Sequence, residues 1–485
     1  MPTRCVCPPQ SRVQAAAARA DITPPVGIYH RMWGAAKHDR STGVHRPLTA
    51  TALCLSPPNT ADPAENVIFI GLDHCLFWSN EMTRVLEGVA ALTGVPPERI
   101  VILFSHTHAA GLMGLERKDL PGGDLIEPYL EQLISTVGEI AREARDRIQP
   151  ATIVYGSGRC DLATNRDFYD EQAERYVCGF NPDGLSDDTV AVAKVTNDTG
   201  DTLATIVNYA CHPTTLAWDN TLISPDYVGA MREVVESATT APCLFIQGAS
   251  GDIGPREGFV GDVEVADRNG RQLGYAALSA LESLPPAGQA FQYAGPVVSG
   301  ATIGTWSHQP ADHDAQRRSS TWLHSTTTAP LTYRPDLGTR ESVERDRSEW
   351  QARQQTAEQN GDVAAARDAR AMIERSTRRL TRLASLPDAD EYPYPIRAWR
   401  LGDAIWLALD GEHYNVLQRE LRRRFPDVPL IVGTLANGSN VWYLPDADSF
   451  GKPGLYQEEA SVLAKGSLEK LIDASEHAIR ELLNQ

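Results

Sequence analysis

No stretch of this sequence approaches the roughly 18 consecutive apolar residues of a membrane-spanning helix, so no stable membrane insertion is expected. An apolar signal core is missing as well. The opening MPTRCVCPPQSRVQAAAARADITPP holds only an alanine run broken by arginine, and the expectation is a cytoplasmic protein with reduced thiols. Cysteine is sparse and scattered, eight in all, which excludes a disulfide scaffold; Cys5 and Cys7 read as idle. Positive charge is in deficit. The 45 Lys and Arg face 63 Asp and Glu, and a net charge of -18 argues against nucleic acid or an anionic membrane as partner. Internal repeats and low-complexity linkers are lacking too, which excludes a solenoid. What remains is ordinary globular composition, 42% hydrophobic and 22% charged over 485 residues, enough for one large core or two domains.

The apolar runs that do occur are short and end abruptly. Residues 66–72, 100–104, 202–209, 243–246, 404–409 and 428–435 read as strands buried on both faces. Residues 44–56, 151–156 and 189–195 supply further strands, and two more are expected near 290–304. Periodic segments at 79–93, 126–148, 227–239, 263–284, 417–425 and 458–483 read as helices. Residues 66–104 form a βαβ unit, and the fold class is α/β. Residues 1–20 read as an N-terminal tail or short helix, and 159–188 as loop. Residues 21–485 read as one domain with an insertion or subdomain at about 305–395. Within it, 336–386 is a charged helical hairpin whose arginine-rich second half reads as a solvated face. His308, His313 and His324 share no spacing and receive no role.

Five runs stop at chemistry-bearing residues: Asp73-His74, His106-x-His108, His212, Asp252 and Glu412. Open α/β sheets build their sites beyond the carboxyl ends of strands. In extended backbone, His106 and His108 would project to one side. Two or three histidines with a glutamate suit catalytic zinc, which leaves a position for water, and this points to a metal-dependent hydrolase. The loop Gln247–Arg256 either offers backbone N–H groups to an oxyanion or makes a tight turn. Asp73, His74 and Asp252 either orient ligands or are ordinary hydrogen-bonded loop residues.

Longer motifs accompany these residues. They are ADITPP with Gly27, SHTHAAG at 105–111, TNRD at 164–167, NYACHP at 208–213 and NTLISPDYVGAMRE at 220–233. QGASGDIGP at 247–255, DGE at 410–412, LANG at 435–438, WYLP at 442–445 and LYQEEAS at 455–461 follow in order. In this series the chain resembles the catalytic domain of the neutral/alkaline non-lysosomal ceramidases and their bacterial relatives. The resemblance implies mixed β-sheets flanked by helices, with residues 21–485 as the catalytic domain. It also implies a Zn2+ ion held by His106, His212, Glu412 and Tyr443. His108 would transfer a proton, Tyr456 would stabilise the oxyanion and Arg166 would face the substrate. The activity implied is cleavage of an amide bond in an N-acyl compound by a metal-activated water. An esterase or lactonase would use the same chemistry, and a non-catalytic binding protein keeping the fold is the alternative class.

The sequence departs from the family at Gly254, where ceramidases carry a serine before the proline. Aromatic residues make up only 7%, and no apolar stretch stands out to seat two lipid tails. Together these point to a smaller or more polar N-acyl substrate than ceramide. A homo-oligomer is compatible with this reading.

Overall fold

The computed structural model describes residues 4–60 and 62–485. Its main sheet has eight strands. They are β1 (Gln10–Asp21), β2 (Thr49–Ser56), β3 (Val67–Leu72), β4 (Ile100–Phe104), β5 (Gln149–Arg159), β6 (Thr189–Asn197), β7 (Thr202–Tyr209) and β8 (Cys243–Gln247). Their spatial order is β8-β7-β6-β5-β1-β2-β3-β4. The outer pairs β7–β8 and β3–β4 are parallel, and every pairing between them is antiparallel. A second sheet holds β9 (Trp322–Thr332), β10 (Glu391–Leu401), β11 (Ala404–Leu409) and β12 (Leu430–Gly433), of which β11–β12 are parallel.

The longer helices are α1 (Ser79–Thr93), α2 (Ile126–Asp146), α3 (Tyr227–Thr239) and α4 (Val263–Glu282). They are followed by α5 (Arg340–Gln359), α6 (Val363–Ser385), α7 (Val416–Arg424) and α8 (Ser467–Asn484). Parallel neighbours require a crossover, and α1, α3 and α7 provide the three. The layers run helix, sheet, sheet, helix. Between the sheets, Val13, Leu53, Phe69, Val101 and Leu244 pack on Trp399, Trp406 and Ile431. The outer face of the main sheet is covered by Val85 and Val89 of α1 and Leu130 and Leu133 of α2, and further along by α3 and α4. Leu417, Leu471 and Ile479 cover the second sheet. The fold is therefore α/β with mixed sheets flanked by helices, as its sequence implies. Among the described residues, no helix is long and apolar enough to cross a membrane.

Four expectations need correction. Of the expected tail at 1–20, residues 1–3 lie outside the described residues, and the part from Gln10 onward is no tail, because β1 lies inside the main sheet between β5 and β2. Val13 and Ala15 face the inter-sheet core while Ala18 faces the helix side. Alanine fills both crowded faces without the bulky β-branched signature that marks a strand. The region 305–395 is not a single insertion either, since β9 and the start of β10 belong to the second sheet. β9 escapes notice because most of its side chains are exposed or half-buried at a sheet edge. Between these strands, the hairpin of α5 and α6 belongs to neither sheet. The helix expected at 458–483 is two, Tyr456–Ala460 and α8. The loop at 159–188 also contains short strands, including a hairpin of Asp167–Asp170 with Arg175–Cys178.

The layering fixes where the site falls. The three parallel pairs end at Leu72 and Phe104, at Tyr209 and Gln247, and at Leu409 and Gly433. Two asparagines lace the sheets together. Asn208 of β7 donates to the Val432 carbonyl and accepts from the Val432 amide. Asn437, just beyond β12, does the same across β4, donating to the Ile100 carbonyl and accepting from the Ile102 amide. β12 and the segment just beyond it are thereby held against β7 and β4 of the main sheet.

Candidate metal centre and active site

His106 follows β4 by two residues and adopts a left-handed backbone, φ 68°, strained for a residue with a Cβ. The convergence of His106 and His108 thus comes from a turn rather than from strand alternation. Their Nε2 atoms lie 3.5 Å apart, and His212 brings its own Nε2 within 3.0 Å of His106 and 3.1 Å of His108. Glu412 Oε2 is 3.2 Å from His106 Nε2 and 3.9 Å from His212 Nε2. His106, His212 and Glu412 are almost wholly buried.

The tautomers follow from the partners. His106 Nδ1 lies 2.7 Å from the Cys75 carbonyl and His212 Nδ1 lies 3.3 Å from the Ser250 carbonyl. Carbonyls only accept, so both Nδ1 atoms carry the hydrogen, and in its neutral form each ring aims a bare Nε2 lone pair inward. Neither oxygen of the Glu412 carboxylate finds a hydrogen-bond partner. Facing lone pairs and a buried carboxylate repel one another unless a cation, or a proton on His106 facing Glu412, sits among them. The donors His106, His212 and Glu412 can hold such an ion, and Cys75 with His106 and His108 is a second group within reach. This chemistry fits zinc.

Protonation follows the same logic. Burial first, and then neighbouring positive groups, lower the pKa of His108 and His212 well below the ordinary value. Neutral imidazole is the ligand form. Burial opposes charge on His106, but Cys75 and Glu412 outweigh it and raise its pKa. Burial likewise opposes charge on Glu412, and His106 outweighs it, so the carboxyl pKa is lowered. His108 differs from its neighbours because its Nδ1 has no partner. Its tautomer is therefore not fixed by a hydrogen bond.

Tyr443 is aligned with Glu412 in a short parallel bridge, and its ring stacks at 13° to His212 with centroids 6.5 Å apart. Arg166 is buried and donates to the Gly251 carbonyl at 2.6 Å and to Tyr443 Oη at 3.2 Å. The Tyr456 ring lies 5.7 Å from that of Tyr443 and is partly exposed. All seven residues singled out for the site line one cavity of about 550 Å³. Its remaining walls include Trp33, Trp78, Trp218, Phe259, Leu76 and Leu112. With Trp442, four of the nine tryptophans line this cavity, where sequence alone gave no sign of them.

Other candidates have different work. Asp73 makes a two-pronged ion pair with Arg232, at 2.8 and 2.9 Å, and accepts from the Thr49 amide. The ring of His74 bonds Tyr129 Oη through Nε2, while its carbonyl accepts from the His106 amide. Asp252 accepts from the Asn415 amide at 2.6 Å. None of the three is among the ligand atoms. In the loop Gln247–Arg256 the amides of Gly248, Ala249 and Gly251 are all bonded within the protein, which favours the tight turn over an oxyanion cradle. A Cβ at Gly251 would lie 2.7 Å from the Glu412 carbonyl, so glycine alone lets the turn approach that residue. At Gly254 a Cβ would have only ordinary contacts, 3.6 Å from Arg166 and Thr214, so sterics do not demand glycine there. Cys75 and Trp33 are wall residues that sequence reasoning missed. Cys75 carries a signal, since it directly follows Asp73-His74 at the end of β3.

Fold and site together define an α/β protein with histidines and a glutamate at the floor of a cavity beyond the strand ends of two laced sheets. The chain belongs to the neutral/alkaline non-lysosomal ceramidase family, whose N-terminal domain model matches residues 14–257. It is similar to neutral ceramidase 1 of Arabidopsis thaliana and to neutral ceramidase of Oryza sativa subsp. japonica, at 24% identity over 237 residues in each case. That stretch is 44% of this chain and only 28% of either relative's length. Among solved structures, neutral ceramidase from Pseudomonas aeruginosa matches with a TM-score of 0.64 at 16% identity, over 98% of this chain and 75% of that one. A ceramidase complexed with C2 matches with a TM-score of 0.62, also at 16% identity, over 98% of this chain and 76% of that one. At such identity the likeness is one of fold.

Proposed function

We propose that this protein is a zinc-dependent hydrolase that cleaves the amide bond of N-acyl compounds. The observation that supports it most is the convergence of three imidazole Nε2 atoms and the unpartnered Glu412 carboxylate at the floor of the cavity. His106, His212, Glu412 and Tyr443 would hold the ion. When bound, zinc supplies a Lewis acid and lowers the pKa of a water molecule to about 7.

The remaining chemistry falls to side chains. Neutral His108 accepts a proton from the water as it adds to the amide carbonyl carbon. His108 then returns that proton to the amide nitrogen as the C–N bond breaks. Tyr456 Oη–H donates to the oxygen that gains charge in the tetrahedral state. Arg166 fixes Tyr443 and keeps a positive charge near that oxygen. The aromatic wall takes the acyl part and excludes water. The relatives are named for ceramide, which is itself an N-acyl amide, whereas Gly254 supports a different amide here. All eight cysteines are free thiols, which suits a reducing compartment such as the cytoplasm.

The test is zinc content by mass spectrometry for wild type and Glu412→Ala, alongside turnover of a panel of N-acyl amides. About one zinc per chain is expected in the wild type. Both metal and amide turnover should vanish in the variant. A zinc-loaded wild type that hydrolyses neither amides nor esters would instead indicate a binding protein.

A further inference from the structure

A second cavity, of about 410 Å³, opens beside the first and shares with it Met32, Gly34, Arg378, Trp442 and Tyr456. Its character is opposite. Five arginines line it: Arg334 and, from α6, Arg375, Arg378, Arg379 and Arg382. The α6 spacing i, i+3, i+4, i+7 places those four on one face. Burial rises along that face, from exposed Arg375 through half-buried Arg378 and Arg379 to Arg382, which is only 4% exposed. The expected solvated face is thus a cavity wall.

Its charges do not cancel. Three carboxylates share the wall, and each is engaged: Glu374 with Arg117 and Arg378, Glu459 with Arg375, and Asp336 with Arg334. Arg379 and Arg382 have no ion-pair partner among the described residues. Each donates only to a backbone carbonyl, of Leu337 and Ala460 respectively. The Arg382 guanidinium carbon lies 3.2 Å from the centre of the Trp442 ring, and its Nε finds no acceptor. A buried guanidinium without a counter-charge is costly. The cost is visible at Arg382, whose pKa burial pushes down to about 9. In a chain of net charge -18, a buried and a half-buried arginine, both without a counter-charge and beside the candidate catalytic floor, are a place prepared for an anion.

We propose that this arginine cavity binds an oxyanion carried on the amine portion of the substrate, so that the enzyme cleaves N-acyl compounds with an acidic amine part. This rests on the hydrolase reading above. The apolar acyl part occupies the aromatic cavity. The scissile bond lies over the histidines, and the acidic group crosses the shared wall at Trp442 and Tyr456 to reach Arg379 and Arg382.

The experiment uses the zinc-loaded full chain. Wild type, Arg382→Met and Arg379→Gln, each checked for an unchanged melting curve, are given four decanoyl amides. These are N-decanoylglycine (carboxylate), N-decanoyltaurine (sulfonate), O-phospho-N-decanoylethanolamine (phosphate) and neutral N-decanoylethanolamine. The wild type should prefer at least one anionic amide. The anionic-to-neutral ratio of kcat/KM should fall about tenfold to a hundredfold in a variant, mainly through KM, as expected for a lost charge-assisted hydrogen bond. The three anionic substrates identify which oxyanion is recognised. Turnover of all four amides at similar kcat/KM, or a ratio unchanged in both variants, would overturn the proposal and leave the hydrolase reading intact.

A binding arm separates the two ideas. The γ-keto acid in which CH2 replaces the amide NH of N-decanoylglycine cannot be cleaved at that bond. Its binding, followed by calorimetry against the matching γ-keto methyl ester, reads the anion site without turnover. Preferential binding of the acid that Arg382→Met abolishes, with no amide cleaved, would keep the anion site and sink the hydrolase reading. Equal binding of acid and ester would sink the anion site.

Discussion

The two cavities share a wall and are built in opposite ways. The histidine cavity is assembled from strand ends: His106 beyond β4, His212 beyond β7 and Glu412 beyond β11. Each residue sits where a buried strand must stop, held by backbone partners on a rigid layer. The arginine cavity is assembled from one helix face. Its residues repeat along α6, and their position depends on how the hairpin lies against Trp442 and the segment around Ala460. The first site is specified by topology and the second by docking. A histidine change should therefore act on chemistry, whereas an arginine change should act on which molecule enters.

The largest effect expected comes from breaking the strand-end site. His106→Ala and His212→Ala should lose both bound zinc and turnover. His108→Ala should keep zinc and lose about 10²- to 10⁴-fold in turnover, the range for removal of a general acid or base. Metal analysis beside kinetics checks the pattern, and zinc retained in His212→Ala would break the assignment. Next in size is the support beneath that site. Asp73→Asn leaves Arg232 buried against half a partner and should cost up to about 3–5 kcal/mol in chemical denaturation.

The smallest effect concerns pH. Burial first, and then Asp167, push the Asp252 carboxyl from 3.8 up to about 7. The folded protein thus keeps a proton that the unfolded chain releases, and this contribution to stability falls as pH rises from 3.8 to about 7. Asp252→Asn should flatten that slope in denaturation curves taken across the interval. An unaltered slope would mean that Asp252 is ionised throughout.

How much could be read in the sequence follows the same division. Ile100–Phe104, Ala404–Leu409 and their like are short apolar runs with abrupt ends, and both the strands and the residues beyond them were legible for that reason. β1 was not, because alanine carries no strand signal although it suits a crowded central position. β9 was hidden by its solvent-facing side. The repeat in α6 announced an arginine face, but periodicity does not say which way a face points. Inward placement was decided by Trp442, Ala460 and Leu337, which no local pattern connects to it. The backbone turn at His106 was equally invisible, since histidine has no preference that announces a left-handed conformation.

The lacing by Asn208 and Asn437 has a bearing on how the chain matures. The histidines belong to the main sheet, whereas Glu412 and Tyr443 arrive with the second sheet, far later in the sequence. Neither layer alone carries the full donor set. During synthesis the earlier layer can form well before its partner emerges, with an incomplete site. Closure of the two sheets and completion of the donor set are then one event, and under the proposed function an ion captured at that moment would act as the clasp of the assembly.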